Sequence, residues 1–390
     1  MKKLIVAMMI IALVVVMAVS VSAATTEDGN FDYEVVGETV KITKYKGEGG
    51  KGTIAEAANY VDVTIPATIE SKPVTVIGVS AFEDFRCVKK ITIPASVVTI
   101  EDKAFYNCRG LKEIVIPDAV TTIGVDAFYA NNVAESLTIG AGVTSIGKGA
   151  FGRLSALKTL TVKANASYFK EEGGLLIDVV NKKVLTGEPS ETITVPAGIE
   201  TIGINAFYGI KGIKNLILPT SLKTIEREAF QSSSNLEVVV LPSSVTKIEY
   251  GAFAGSLPSG GGTVYYEGAA RENLLAIKGT NGSGEEIAID SKPEGGSYSA
   301  ANGRLIDAKT INYNACINNP NGWTHSGADA ASCTYCNPPA GDQGGNQGGN
   351  QGGNQGGAAQ TGSSVTLLAI VAVVALAATS VVISKRRIED

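Results

Sequence analysis

The chain has 390 residues, 33 of them basic and 38 acidic, and its formal net charge is −5. An acidic chain without basic runs argues against a nucleic-acid partner, because affinity for nucleic acids comes largely from neutralising phosphates. The single histidine, His325, excludes multi-histidine metal centres and most Ser/His/Asp mechanisms, whereas chemistry based on a pair of carboxylates stays compatible with the composition.

The N-terminal segment has the pattern of a secretory signal. Lys2 and Lys3 precede an apolar stretch from Leu4 to Val19, and the small residues Ser-Val-Ser-Ala-Ala follow. Small residues in this position predict cleavage between Ala23 and Ala24, so that residues 1–23 are the signal peptide. An uncleaved N-terminal anchor is the alternative, because the apolar stretch is long for a signal.

The middle of the chain is an internal repeat. The dipeptide Ala-Phe recurs with spacings of 23, 23, 23, 56, 23 and 23 residues, and an isoleucine stands five residues before every phenylalanine. The phenylalanines of this series are Phe82, Phe105, Phe128, Phe151, Phe207, Phe230 and Phe253. Further apolar columns lie nine and eleven residues after the first six of these phenylalanines. Because one 23-residue unit cannot bury its apolar side chains alone, the array predicts a stacked solenoid.

Each repeat contains one segment typical of a strand. In LKEIVIPDAVTTIGVDAF, Leu111, Ile114 and Ile116 lead into Pro117, and the following Ile-Gly-x-x-Ala-Phe segment turns the chain and directs Phe128 into the core. The pattern resembles the BspA-like leucine-rich repeats of bacterial surface proteins, from about residue 31 to residue 314. The resemblance implies a right-handed leucine-rich-repeat solenoid with one short β-strand per 23-residue repeat, and a role in adhesion.

The 56-residue spacing contains an insertion at residues 163–195. Its segment GGLLIDVVNKKVLTGEP predicts two strands around Asn181 and Lys182. Two interpretations stay open at this point. The insertion is either a protruding binding loop or a variant repeat that continues the stack.

The strand positions ten residues after each phenylalanine are expected to face outward, because strand side chains alternate. Most of them are Thr or Val, which plain β-propensity explains. Ile217, Val238 and Val240 are expected to adjoin on consecutive repeats as an exposed apolar patch, which often marks a protein contact. We therefore predict the interaction face there.

The five cysteines form two groups. Cys87 and Cys108 lie in the repeats and are expected to be buried or half-buried small apolar residues. The second group, with the histidine, supplies four ligands of the kind that structural zinc takes: Cys316, His325, Cys333 and Cys336. A Cys333–Cys336 or Cys316–Cys333 disulfide, or free thiols, are the alternatives. Apart from this zinc ion, no cofactor is expected.

The C-terminal segment predicts a membrane anchor. A Gly/Gln/Asn-rich run is typical of a flexible linker, and Val365 to Ile383 forms an apolar stretch of about 28 Å as a helix, enough to span a bilayer. The basic residues that follow favour a cytoplasmic tail, so the body faces outward. Thr361 and Gly362 resemble the cleavage pair of an LPxTG sorting signal, although alanines replace its Leu and Pro. Sortase attachment and a retained membrane helix both stay open.

The sequence thus predicts an exported, non-enzymatic surface protein that binds an extracellular protein or glycan and is held at the membrane. The alternatives are a surface hydrolase with a carboxylate pair and a passive envelope component. The predicted organisation is signal peptide 1–23, N-terminal β cap 24–62, leucine-rich repeats 63–278, C-terminal cap with the Cys/His segment 279–340, linker 341–363, transmembrane helix 364–384 and cytoplasmic tail 385–390.

Overall fold

A computed structural model describes residues 21–48, 50, 60–257, 262–267, 271–280, 283–288 and 310–312. Within them the chain forms a β-solenoid with almost no helix. The elements up to the insertion are β1 (Val21–Thr25), β2 (Phe31–Val36), β3 (Thr39–Tyr45), β4 (Val61–Thr64), β5 (Thr68–Ile69), β6 (Lys72–Ile77), β7 (Val88–Thr92), β8 (Thr99–Ile100), β9 (Glu113–Val115), β10 (Thr122–Ile123), β11 (Ser136–Ile139), β12 (Ser145–Ile146) and β13 (Thr159–Val162).

The insertion and the second half of the array follow. Their elements are β14 (Phe169–Glu172), β15 (Leu175–Asp178), β16 (Lys183–Gly187), β17 (Thr192–Thr194), β18 (Thr201–Ile202), β19 (Asn215–Ile217), β20 (Thr224–Ile225), β21 (Val238–Leu241), β22 (Lys247–Ile248), β23 (Thr263–Tyr266), α1 (Arg271–Leu275), β24 (Lys278–Thr280), β25 (Glu286–Ala288) and β26 (Thr310–Asn312).

Each repeat contributes two strands, so the prediction of one strand per repeat was wrong. The longer strand pairs in parallel with its counterpart in the next repeat, as in β9–β11–β13. A second strand of two residues, such as Thr122-Ile123 in β10, pairs in parallel with β8 and β12. The isoleucine five residues before each phenylalanine is therefore a strand residue, and it is buried in the core of every repeat except at Ile146, which is half-buried. In the stack, the backbone of this segment lies next to the same segment of the following repeat. The two segments pair because pairing satisfies their backbone N–H and C=O groups.

A ladder of phenylalanines fills the core, as the repeat predicts. All seven are at most 1% exposed. In the first half, consecutive rings from Phe82 to Phe151 stack with centroid separations of 5.0, 4.9 and 5.7 Å. In the second half, Phe230 stacks on Phe207 and Phe253 at 5.1 and 5.2 Å. The register of the sequence repeat is thus the register of the stack.

In four of the seven repeats, the residue three positions after the phenylalanine is a buried hydrogen-bond donor beside this ladder. Cys108 Sγ donates to the carbonyl oxygen of Phe82 at 3.0 Å, and Ser233 Oγ donates to that of Phe207 at 2.7 Å. Asn131 is fully buried in the same register, and its Nδ2 donates to Phe105 O. A small donor at this position satisfies a carbonyl of the preceding repeat, because a buried carbonyl without a partner would be costly.

The insertion divides the hydrophobic core of the solenoid into two parts. The predicted strand pair around residues 181 and 182 is confirmed as β15 and β16, and β14 adds a third antiparallel strand. All four side chains of β15 are buried. Leu176 belongs to the core of the first half, whereas Leu175 and Ile177 belong to the core of the second half. Strand β15 is therefore a wall between two cores, which differs from both interpretations of the insertion.

Both sheets are interrupted at this wall. Strand β12 pairs only with β10, and β13 pairs only with β11. The stack resumes when β16 pairs in parallel with β18 and β17 pairs in parallel with β19. The insertion therefore separates two half-solenoids, while its last two strands, β16 and β17, start the two sheets of the second one.

Candidate functional site

The longer strands of the first half carry two outward rows of side chains. These strands form the sheets β4–β7 and β9–β11–β13, and the Lys112 N–H donates to Lys89 O at 3.2 Å between them. One row consists of Thr64, Thr92, Val115, Thr138 and Thr161, and the other of Asp62, Lys90, Glu113, Ser136 and Thr159. All are exposed except Thr138 and Ser136, which are half-buried. At about 4.8 Å per strand, this face is about 19 Å wide.

The apolar patch that we predicted in the second half is only partly accessible. Ile217 and Val238 are half-buried, but Val240 is 0% exposed, so the expectation that it faces solvent was wrong. The strand register places Val240 between Ile217 and Tyr265, and Tyr265 is itself only 9% exposed. Alternation along a strand sets the face on which a side chain lies, but it does not show whether that face is covered.

A cleft opens where the insertion interrupts the stack, between β12 and β16. Its volume is about 220 Å³. Three groups of residues line it: 146–151 around β12, the turn and strand residues Asp178, Asn181, Lys183 and Leu185, and Gly203, Ile204 and Glu226 from the second half. The 33 extra residues in the repeat spacing were the sequence signal for this site, but they did not reveal that a cleft would form.

Two polar pairs define one side of the cleft. Lys183 Nζ and Glu226 Oε1 form an ion pair at 2.6 Å, with side chains 20% and 18% exposed, and Glu226 Oε2 also accepts the Ile204 N–H at 2.9 Å. Asp178 is 7% exposed, and its carboxylate accepts two hydrogen bonds from Asn181, at 2.9 and 2.7 Å. Both carboxylates are thus held in place as acceptors.

The backbone on the opposite side of the cleft lacks its regular partners. In five repeats the phenylalanine N–H donates to the alanine carbonyl of the next repeat, as from Phe128 to Ala150. Among the described residues, Phe151 makes no such bond, and the equivalent carbonyl, that of Ala206, accepts the Thr186 hydroxyl at 3.4 Å instead. Strand β12 likewise presents an edge without a paired strand. Polar backbone groups therefore face the gap.

A cation–π contact bridges the two halves near the cleft. Tyr106 and Tyr129 stack at 5.2 Å in the position after the ladder phenylalanines. The guanidinium of Arg153 lies 5.8 Å from the Tyr129 ring centroid and 4.0 Å from that of Tyr208 in the second half. Burial raises the pKa of the Tyr129 hydroxyl. Sequence analysis did not single out Arg153, because it falls outside the repeated apolar columns.

The remaining predicted sites are distributed between described and undescribed segments. Ala23 and Ala24 lie in β1, which pairs antiparallel with β2. The prediction that Cys87 and Cys108 are buried is confirmed, and both are free thiols. The proposed zinc ligands Cys316, His325, Cys333 and Cys336, and the sorting residues Thr361 and Gly362, lie outside the described residues.

Two further observations are confined to the described part of the chain. It holds no group of three or more His, Cys, Asp or Glu side chains arranged to bind a metal ion. Nor does it contain a helix of the length and apolarity required to cross a membrane; the predicted transmembrane segment 364–384 lies outside it.

The comparison with known protein families agrees with this repeat architecture. A family model described as the BspA type leucine rich repeat region matches in six copies, over residues 55–172 and 179–258, just over half of the chain. The chain belongs to this family. The unmatched residues 173–178 contain β15, the wall strand that has no counterpart in the regular repeat. No curated protein sequence matches the chain.

Solved structures similar to this BspA-type chain come from bacteria. The pneumococcal vaccine antigen PcpA is 20% identical, with 60% of this chain and 74% of that chain covered and a TM-score of 0.40. A leucine-rich repeat protein from Bacteroides capillosus is 28% identical, with coverage of 36% and 98% and a TM-score of 0.29. A leucine rich cell surface protein from Faecalibacterium prausnitzii is 20% identical, with coverage of 66% and 98% and a TM-score of 0.24.

Proposed function

We propose that this protein is a non-catalytic, surface-anchored leucine-rich-repeat protein that binds an extracellular protein or glycan and so mediates adhesion. The observation that carries the proposal is the outward face of β4, β7, β9, β11 and β13. Its two regular rows carry hydroxyl, carboxylate and ammonium groups and one valine, Val115. Membership of the BspA-type family supports an interaction role. A face about 19 Å wide is suited to a macromolecule rather than to a small substrate.

The geometry of the cleft favours binding over hydrolysis. A glycosidase needs one carboxylic acid that donates a proton and a second carboxylate that acts as base or nucleophile. Here Lys183 pairs with Glu226, and Asn181 donates one backbone and one side-chain hydrogen bond to Asp178. Both carboxylates are engaged as acceptors, which supports a role in recognition.

A binding experiment with matched variants tests the proposed function. The purified full-length protein is immobilised and exposed to extracellular-matrix proteins, mucins, bacterial wall polymers and a glycan array. We expect saturable binding to at least one of them. Val115→Lys, on the proposed face, should weaken it at least fivefold. Val98→Lys should leave it unchanged, because Val98 is similarly exposed (39% against 43%) but precedes a strand of the other sheet.

Ile217→Lys tests the half-buried patch of the second half in the same assay. If Val115→Lys has no effect and Ile217→Lys abolishes binding, the contact face lies in the second half and not where we place it. If the folded protein binds nothing on the panel, the proposed function is wrong and a passive envelope role replaces it.

We also propose that Cys316, His325, Cys333 and Cys336 bind one structural zinc ion. Three thiolates and one imidazole are a common ligand set for tetrahedral structural zinc. Metal analysis of the purified protein should give close to one equivalent of zinc. Less than about 0.2 equivalents, with a Cys333–Cys336 or Cys316–Cys333 disulfide found by peptide mapping, would contradict the site.

For the attachment of the protein, we propose export with cleavage between Ala23 and Ala24 and retention through the segment 364–384. Cleavage would leave only two residues of β1, because Val21 to Ala23 are removed. N-terminal sequencing of the surface-exposed protein should begin at Ala24. Release by detergent supports the membrane helix, whereas release only by wall-degrading enzymes, with a new C-terminus at Thr361, supports sortase attachment.

A further inference from the structure

The cleft between β12 and β16 has the size of a small ligand. Its volume of about 220 Å³ is below the ~300–1,000 Å³ typical of pockets for drug-sized ligands. Lys148 and Asn181 on its lining are exposed, so the cleft opens to solvent, while Asp178 is buried within it. A site of this size accepts one sugar ring or a very short stretch of peptide, but not a bulky ligand.

The charges that line the cleft balance. Lys148 and Lys183 face it together with Asp178 and Glu226, two cations and two carboxylates. An anionic ligand would approach two carboxylates, and a cationic ligand would approach two ammonium groups, so neither sign gains a net attraction. The lining therefore favours a ligand that is polar and uncharged.

Both donors and acceptors line the same space. Asp178 and Glu226 supply acceptors, Asn181 and Lys183 supply donors, and the unpaired edge of β12 adds backbone groups of both kinds. Leu185 and Ile204 contribute aliphatic surface. Hydroxyl groups both donate and accept, and a sugar ring combines them with an apolar C–H face. A neutral sugar residue meets all of these conditions.

A peptide fits the cleft less well. Peptides that add to a sheet edge gain affinity from a row of main-chain hydrogen bonds and specificity from pockets for alternate side chains. Strand β12 has only the two residues Ser145 and Ile146, and Gly147 follows it directly. So short an edge offers few main-chain bonds.

From this combination we infer that the cleft binds a single neutral sugar residue of a glycan. The inference rests on the proposed binding function and assigns it a subsite at the junction of the two half-solenoids. Asp178, held by Asn181, and the Lys183–Glu226 pair hydrogen-bond the ring hydroxyls. Ile204 and Leu185 contact the C–H face of the ring.

The chain provides a matched control for the polar part of the site. Glu101 occupies in the first half the repeat position that Glu226 occupies in the second. It pairs with Lys41 at 2.7 Å and accepts the Val79 N–H at 3.0 Å, as Glu226 does with Lys183 and Ile204. Glu226→Gln and Glu101→Gln thus remove equivalent ion pairs, but only the first one lines the cleft.

A second pair of variants tests whether the ligand needs the space inside the cleft. Ile204 stands three residues before Phe207 and lines the cleft, and Val125 stands three residues before Phe128 on the regular array, 41% exposed. Ile204→Trp fills the cleft, whereas Val125→Trp places the same side chain on an open surface. Thermal unfolding of each variant shows that it is folded.

Saturation-transfer NMR on the full-length protein tests the inference, with glucose, galactose, mannose, N-acetylglucosamine and N-acetylgalactosamine as probes. We expect saturable binding of at least one sugar. Glu226→Gln and Ile204→Trp should weaken it at least tenfold, and Glu101→Gln and Val125→Trp should leave it within twofold of the wild type. Equal loss in both members of a pair would overturn the site.

The same experiment separates this inference from the proposed function. If no sugar binds but a macromolecule of the panel still does, the sugar subsite is wrong and the binding function stands. Binding of a neutral Gly/Ser hexapeptide in place of every sugar, lost in Ile204→Trp, would likewise overturn the sugar assignment. If neither sugars nor macromolecules bind, both proposals fail.

Discussion

The phenylalanine ladder makes a quantitative prediction because the insertion interrupts it. Phe128 and Phe151 are both 1% exposed. Phe128 stacks on Phe105 at 4.9 Å and on Phe151 at 5.7 Å, with interplanar angles of 16° and 13°. Phe151 stacks only on Phe128 among the described residues, because the wall strand β15 separates it from the ladder of the second half. The two residues thus have equal burial but differ by one ring contact.

Replacing either ring by alanine should cost about 3–5 kcal/mol of unfolding free energy, from lost burial and the cavity left behind. Each stacked pair adds about 0.5–1.5 kcal/mol beyond burial. Phe128→Ala removes two such pairs and Phe151→Ala removes one. We therefore expect Phe128→Ala to destabilise the first half by about 0.5–1.5 kcal/mol more than Phe151→Ala does.

Guanidinium unfolding followed by far-UV circular dichroism measures this difference. The slope of the transition must be the same in both variants, so that the midpoints report stability alone. Phe230→Ala is the control in the second half, because Phe230 has two stacked neighbours at 5.1 and 5.2 Å and should behave like Phe128→Ala. An equal or larger loss in Phe151→Ala would refute the stacking argument.

Three further predictions concern other contacts. Arg153→Ala should lower stability by about 0.5–2 kcal/mol, because its guanidinium lies 4.0 Å from a tyrosine centroid across the junction; an unchanged unfolding midpoint would exclude this bridge. Cys87 and Cys108 should resist iodoacetamide in the native protein, since both are buried and burial raises the pKa of the Cys108 thiol; labelling at the rate of the denatured chain would contradict this. Hydrogen bonds from two lysines lower the pKa of Glu200 from 4.5 to about 2, so its contribution to stability is present above about pH 4.5 and is lost as the pH falls towards 2. Glu200→Gln should flatten the pH dependence of the unfolding free energy in that window. An unchanged slope would show that the two lysine contacts of Glu200 do not form.

The sequence alone determined the repeat and most of the core. Its 23-residue register predicted the burial of all seven phenylalanines and of the isoleucines five residues before them, except Ile146, which is half-buried where the stack is interrupted. The register succeeds because stacking identical units places identical positions above one another. The burial of Cys87 and Cys108 and the strand pair around residues 181 and 182 followed from the same local patterns. The repeat pattern predicts this packing because consecutive repeats of a solenoid pack directly against each other.

Only the tertiary structure shows which outward side chains are covered by neighbouring residues and what the insertion does to the stack of repeats. Alternation placed Val240 on the outer face, but only the three-dimensional neighbourhood shows that it is fully buried. The path of the insertion, with β15 between two cores, and the resulting cleft at Asp178, Lys183 and Glu226 depend on contacts between residues up to about 80 positions apart. The insertion does not repeat the 23-residue pattern, so its position cannot be inferred from the other repeats. Its position is set by packing against both half-solenoids, and the local sequence does not show that packing.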